Sequence, residues 1–186
     1  MELIPVDLTH QLRLLLHVAH LLAGVSCYSH SLVRQLEKRS LLQKLRAIFP
    51  GTLWCGPGNI ARSTGDLGLF LYTDSCCRQH DHCPDNIPAG GSKHGLINIT
   101  PFTKSHCDCD QRFYRCLQNV VRFTFSPAAK TVGETYFDLV GPQCFKREYP
   151  IVACFESYVL FPWRCISYKL DTSRPKVWQW FDARIF

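Results

Sequence analysis

The sequence predicts one disulfide-rich domain, mainly α-helical with a small antiparallel β part. Three observations carry this expectation. Ten of the eleven cysteines lie between Cys55 and Cys165, an even number that suits an oxidising compartment. Two stretches, residues 74–83 and 105–121, lack Pro and Gly and read as helices. Residues 152–168 alternate enough to form a short hairpin, and 177–181 (VWQWF) alternate as a final strand or an interfacial patch. A chain of 186 residues supports about one domain.

The densest chemistry lies in residues 74–85, DSCCRQHDHCPD. Asp74 or Ser75 is an expected N-cap and Pro84 a stop. On a helix Cys76 and His80 share a face, as do Cys77 and Asp81. Disulfides at the two cysteines would therefore aim an imidazole and a carboxylate. Three readings are open for this stretch alone: a disulfide knot with surface polar residues, a Cys/His zinc site, and a calcium-dependent hydrolase site. The C-C-x2-H-x-H-C spacing lacks the separated pairs of a tetrahedral zinc cage. Residues 48–58 read IFPGTLWCGPG, followed by Asn59. Three glycines and two prolines exclude a regular helix or central strand. Such a backbone can curl several carbonyl oxygens around a hard cation that also takes a carboxylate.

The motifs PGTLWCGPGN, TDSCCRQHDHCPD, SKHGL, CDCDQRFYRCL and PKVWQWFD, in that order, resemble the secreted phospholipases A2 of the bee-venom type (group III). The resemblance runs from about Ile48 to the C-terminus. It implies the phospholipase A2 fold with two antiparallel catalytic helices. It also implies the pairs Cys55–Cys77, Cys76–Cys116, Cys83–Cys109, Cys107–Cys144 and Cys154–Cys165. The implied activity is calcium-dependent hydrolysis of the sn-2 ester of glycerophospholipids at a membrane surface or micelle. In this scheme calcium (Ca2+) is held by the carbonyls of Trp54, Gly56 and Gly58 and by the Asp81 carboxylate. His80 is the base that activates water, Asp110 its partner, and Tyr136 supports that aspartate. The Gly56 N–H is the implied second oxyanion donor, and the Trp54 indole is left for packing or interface contact. A catalytically silent relative, acting as a toxin or receptor ligand, is the alternative. Such proteins usually lose the histidine or the calcium aspartate, and both are present here.

Before the matched region, residues 14–25 (LLLHVAHLLAGV) are apolar but too short to span a bilayer. They read as a signal-peptide core, giving residues 1–26 as signal peptide. Residues 31–47 (SLVRQLEKRSLLQKLRA) carry leucines at near-helical spacing among basic residues. They read as a basic amphipathic helix in a pro-segment, residues 27–47, that contains Cys27. The mature phospholipase domain is then 48–186, secreted and monomeric. Removing the six basic and three acidic residues before Ile48 lowers the net charge from +6 to +3. That mild bias favours anionic surfaces, and no basic stripe interleaved with aromatics points to nucleic acid.

The remaining signals are local. Asn98-Ile99-Thr100 is a glycosylation sequon that fits a secreted surface loop. His82 and His94 are expected in solvent or structural roles. The absence of a G-x-S-x-G elbow argues against a covalent acyl-enzyme. Residues 120–132, which include SPAAK, give no clear element.

Overall fold

The computed structural model describes residues 47–158 and 163–186; the expected signal peptide, amphipathic helix and Cys27 fall in residues 1–46, outside the described residues. After an irregular loop, helix α1 spans Leu71–Asp81. Four two-residue strands follow: β1 Asn86–Ile87, β2 Ser92–Lys93, β3 Leu96–Ile97 and β4 Lys104–Ser105, paired β1–β4 and β2–β3. Helix α2 spans Cys107–Thr124 and α3 Pro127–Gly133, continuing into a π-helical turn at Glu134–Val140. Strands β5 Gln143–Glu148, β6 Ile151–Tyr158, β7 Arg164–Leu170 and β8 Val177–Asp182 complete the domain.

Five disulfides join the pairs that the resemblance implies. Their order fixes the helix geometry. Cys76 bonds Cys116 while Cys83 bonds Cys109, so α1 ascends as α2 descends and the two run antiparallel. Closing loops of this length contributes on the order of 2–4 kcal/mol each. The apolar face of α2 supplies Phe113 and Leu117 to the core, where they meet Phe137, Ala129 and Trp54. Each large buried side chain stabilises by about 1.5–3 kcal/mol.

The β part is antiparallel throughout the named strand pairs. Strand β8 pairs with β5, so VWQWF is a strand, with Cys144 opposite Phe181. Strands β6 and β7 form the expected hairpin, crossed by Cys154–Cys165 and interrupted by irregularities of register.

Two expectations, on Asp74 and on Asn98, are corrected, and two open readings are decided. Helix α1 begins at Leu71, three residues before Asp74, and its Phe70 cap uses no side chain. Asp74 is instead fully buried and accepts from the N–H groups of Leu53, Trp54 and Gly68. A buried carboxylate needs donors, and three loop amides supply them better than its own helix end. Residues 127–133 form a helix because Ser126 caps the Ala129 N–H and Pro127 sits in the first turn, where its missing N–H costs nothing. The Trp54 indole is 4% exposed and donates to the Asp66 carbonyl at 2.8 Å, so it packs inside and does not face an interface. Asn98 is 1% exposed; its amide donates to the carbonyls of Ile87, Pro88 and Phe102, and its oxygen accepts from Thr100. The sequon is thus a buried clasp, and the fold leaves no room for a glycan on it.

Candidate active site

The last turn of α1 faces the first turn of α2 because the helices are antiparallel, and Cys83–Cys109 closes that end. His80 and Asp110 project from these two turns. His80 Nε2 lies 2.7 Å from Asp110 Oδ1, with the two side chains 11% and 6% exposed. The Tyr136 hydroxyl donates to the same Asp110 oxygen at 3.2 Å and lies 3.3 Å from His80 Nε2. Burial and the adjacent Asp110 charge push the Tyr136 phenol well above its ordinary range, so it stays a donor at neutral pH. The imidazole stacks on Phe113, centroids 4.6 Å apart, with Tyr136 at its edge.

This arrangement selects a tautomer. A carboxylate can only accept, so in the neutral ring Nε2 carries the proton and Nδ1 the lone pair. The chemical consequence is a histidine oriented on one side and basic on the other.

Asp81 follows His80 in sequence. It lies at the surface, yet surrounding protein crowds its carboxyl and desolvation raises it from 3.8 to about 6, against the pull of His80 and His82. Among the described residues it has no hydrogen-bond or ion-pair partner. Asp74 lies seven residues earlier, two helical turns, and so on nearly the same face. Because Asp74 grips the amides of Leu53 and Trp54, and Cys55 is bonded to Cys77, the glycine loop is tied along the face that carries Asp81.

The loop also offers oxygen atoms. The carbonyls of Gly56 and Gly58 accept no hydrogen bond among the described residues, whereas the Trp54 carbonyl accepts one from the Gly56 N–H at 3.1 Å. The expected second oxyanion donor is therefore already engaged. Glycine is required at both positions: a Cβ on Gly56 would meet the Ile48 Cα at 2.9 Å, and Gly58 has φ +79°. Carbonyls left free in a loop tied to the helix that carries a partnerless carboxylate are oxygen donors of the kind a hard cation such as calcium takes. The zinc alternative fails, since Cys76, Cys77 and Cys83 are all in disulfides and no cluster of three acidic, His or Cys groups fit for a metal exists among the described residues.

His82 and His94 each have contacts of their own. His82 bonds the Arg78 carbonyl and packs near Trp54. His94 bonds Asp85 and stacks on Trp178. Sequence reasoning missed Asp74 and Phe113. The spacing of Asp74 from Asp81 could have signalled the first; the second follows only from the pairing of the helices.

A family model described as phospholipase A2 matches residues 48–148, more than half of the chain. The chain is 48% identical over 137 residues to a phospholipase A2 of Apis dorsata, covering 74% of this chain and 98% of the relative. It is 50% identical over 136 residues to a phospholipase A2 of Bombus pensylvanicus, covering 73% and 97%. It is also 50% identical over 101 residues to an acidic phospholipase A2 of Heloderma suspectum, covering 54% and 68%. With the helix pair, the five disulfides and these likenesses together, the chain belongs to the bee-venom type (group III) of the phospholipase A2 family and is a phospholipase A2 enzyme.

Proposed function

We propose that this enzyme cleaves the sn-2 ester of glycerophospholipids in a calcium-dependent reaction, releasing a free fatty acid and a lysophospholipid. The observation that carries this reading is the His80–Asp110–Tyr136 hydrogen-bond cluster beside a partnerless Asp81. His80 Nδ1 takes a proton from water, which attacks the ester carbonyl. Asp110 holds Nε2 and stabilises the imidazolium that results. Tyr136 keeps the Asp110 oxygen oriented through its donated hydrogen bond. The imidazolium then returns its proton to the departing alcohol. Trp54, Gly56 and Gly58 through their carbonyls, and Asp81 through its carboxylate, would hold the calcium ion. Calcium in that place supplies the positive charge that polarises an ester carbonyl and offsets an oxyanion.

The partner of this site is a phospholipid surface. The start of α1 and the end of α2 lie at one end of the antiparallel pair, where Thr73 and Ser126 hydroxyls approach to 3.5 Å. Leu69, Leu71, Tyr72, Phe123 and Phe125 are all exposed around that end, Leu69 by 81% and Phe125 by 86%. An apolar patch of this kind suits a lipid interface, a role that buried Trp54 does not fill. No helix among the described residues is long and apolar enough to cross a membrane. The protein acts as a secreted monomer. Residues 1–26 are its signal peptide, 27–47 a removed pro-segment and 48–186 the mature domain, consistent with a family match that starts at 48.

Phospholipid vesicles incubated with the protein in calcium and in chelator test this reading. Fatty acid and lysophospholipid should appear only with calcium. Product formation that persists in chelator would refute calcium dependence, and no product in either would favour the silent alternative.

A further inference from the structure

The π-helical turn Glu134–Val140 carries Tyr136 and ends on Gly141, which has φ +54°. The end of a helix leaves carbonyl oxygens without intrahelical donors. Here the sequence deepens the shortage. Pro142 stands where a donor to the Phe137 or Asp138 carbonyl would come from, and proline has no N–H to give. The Gly141 N–H serves the Tyr136 carbonyl at 3.0 Å. The next two carbonyls need a donor from elsewhere in the fold.

Arg164, the first residue of β7, supplies both. Its guanidinium donates through Nη1 to the Phe137 carbonyl and through Nη2 to the Asp138 carbonyl. The residue is 5% exposed and makes no ion pair among the described residues. A cation so buried is almost always paired. This one meets the carbonyl end of the turn, where the helix dipole favours positive charge. Gly141 gives it room, since a Cβ there would stand 2.6 Å from the guanidinium. The backbone behind it is fixed as well: Cys165 is bonded to Cys154 and donates its N–H to Asp182. Three consecutive carbonyls, from Tyr136 to Asp138, are thus held by Gly141 and Arg164. The Tyr136 hydroxyl reaches Asp110 at 3.2 Å, so a small shift of the turn would carry that bond beyond useful length.

We propose that Arg164 is a positioning residue of the hydrolytic site: by holding the Phe137 and Asp138 carbonyls it fixes the turn that aims the Tyr136 hydroxyl at Asp110. Its effect on hydrolysis rests on the reading of His80 as the base and Asp110 as its partner. Through Arg164 the β6–β7 hairpin, which contributes no residue to the site itself, sets the site's geometry.

Arg164→Met removes the donors and keeps an apolar stem; Arg164→Lys keeps the charge with fewer donors. Both are compared with Tyr136→Phe by vesicle hydrolysis in calcium, thermal unfolding, and proton NMR of the His80 Nε2–H in calcium-free protein. Arg164→Met should lower kcat about tenfold, the scale of one lost hydrogen bond, with KM nearly unchanged. Arg164→Lys should recover part of that loss. The His80 Nε2–H resonance should move in the same direction in Arg164→Met and in Tyr136→Phe, because both weaken the phenol's bond to Asp110. Added to Tyr136→Phe, Arg164→Met should cost no more than about twofold further, since the two act as one unit. A loss of stability with kcat and the His80 resonance unchanged would overturn the proposal. Losses that multiply in the double variant would overturn it too. If Arg164→Met does not fold, Arg164→Lys decides by the same resonance, and an unmoved signal overturns. That signal is read without substrate, so it reports on Arg164 whether or not His80→Gln loses activity, which separates this result from the hydrolytic reading.

Discussion

The domain contains two histidine–aspartate pairs of nearly equal length. His80 approaches Asp110 to 2.7 Å and His94 approaches Asp85 to 2.9 Å. Their surroundings differ. Asp85 is shared with the Lys93 ammonium at 2.6 Å, and both members of that pair are 25% exposed. Burial raises the Asp85 carboxyl, but hydrogen bonds and charge from Lys93 and His94 outweigh it and the net shift is downward. His94 lies flat on Trp178, centroids 3.8 Å apart, and its φ of +56° serves a tight turn. Asp110 has no lysine or arginine within ion-pair distance among the described residues. It is shared with the Tyr136 hydroxyl instead, and the neighbouring carboxylate, Asp81, has no partner. A short His–Asp contact therefore does not make a base. Enclosure, a neutral third partner and an adjoining unneutralised carboxylate distinguish the first pair from the second.

Exchanging the histidines gives the largest contrast. His80→Gln should lower hydrolysis by about 10² to 10⁴ while the fold survives, as expected for loss of a general base. His94→Gln should leave the rate within a few-fold and lower stability by about 1 kcal/mol, from the lost hydrogen bond. Vesicle hydrolysis beside denaturant unfolding measures both. A rate loss in His94→Gln matching that in His80→Gln would erase the distinction.

Asp81→Asn sharpens the role of the partnerless carboxylate. It keeps size and one oxygen but removes the charge, so activity should nearly vanish at ordinary calcium and partly recover at much higher calcium. Trp54→Phe should bind calcium almost normally, because its carbonyl is retained. Calorimetric calcium titration compares the three proteins; equal affinity in wild type and Asp81→Asn would remove Asp81 from the donor set.

Asp74→Asn tests how the loop is held. Replacing a buried carboxylate that accepts three amides should cost on the order of 3 kcal/mol, since hydrogen bonds to charged groups contribute about 1.5–3 kcal/mol each. Calcium affinity should fall as well, because the loop loses its anchor to α1. Stability loss with unchanged calcium affinity would separate the anchor from the donor set.

The smallest effect is a pair of opposite pH slopes in the metal-free protein. Asp81 has a folded value near 6, above its ordinary 3.8, so the folded state binds the extra proton between these values. Its contribution to stability therefore falls as pH rises from about 4 to about 6. Asp85 is shifted down, so its contribution is present above the ordinary carboxylate value and is lost as pH falls through the lowered one. Unfolding curves of Asp81→Asn and Asp85→Asn across pH 3–7 should each lose one slope. Removal of the same slope by both variants would contradict the assignment.

Much of the frame was legible in the sequence. The helix at residues 105–121 and the hairpin closed by Cys154 and Cys165 follow from periodicity, and the five disulfide pairs follow from the family resemblance. The failures share a cause, which is that local signals say nothing of tertiary competition. Asp74 has the chemistry of an N-cap, but loop amides twenty residues away claim it. Asn98 sits in a sequon whose asparagine the fold turns inward. The Trp54 indole was left open between packing and interface contact, and only the fold decides for packing. The Ser126-Pro127 step, by contrast, was a readable helix start that the change of composition obscured. The contact of His80 with Phe113 depends on the antiparallel helix pair, and the bond from Arg164 to the Phe137 carbonyl joins residues 27 apart. Neither leaves a sequence pattern.

The central claim is that Asp110 fixes the His80 proton on Nε2 and leaves Nδ1 free as the base. Nitrogen-15 NMR of the imidazole side chains, in metal-free protein at neutral pH, reads this directly. The account predicts a protonated Nε2 and an unprotonated Nδ1 for His80, with the Nε2 proton strongly hydrogen-bonded and lost from that environment in Asp110→Asn. A His80 ring protonated on Nδ1 with a bare Nε2 would contradict it.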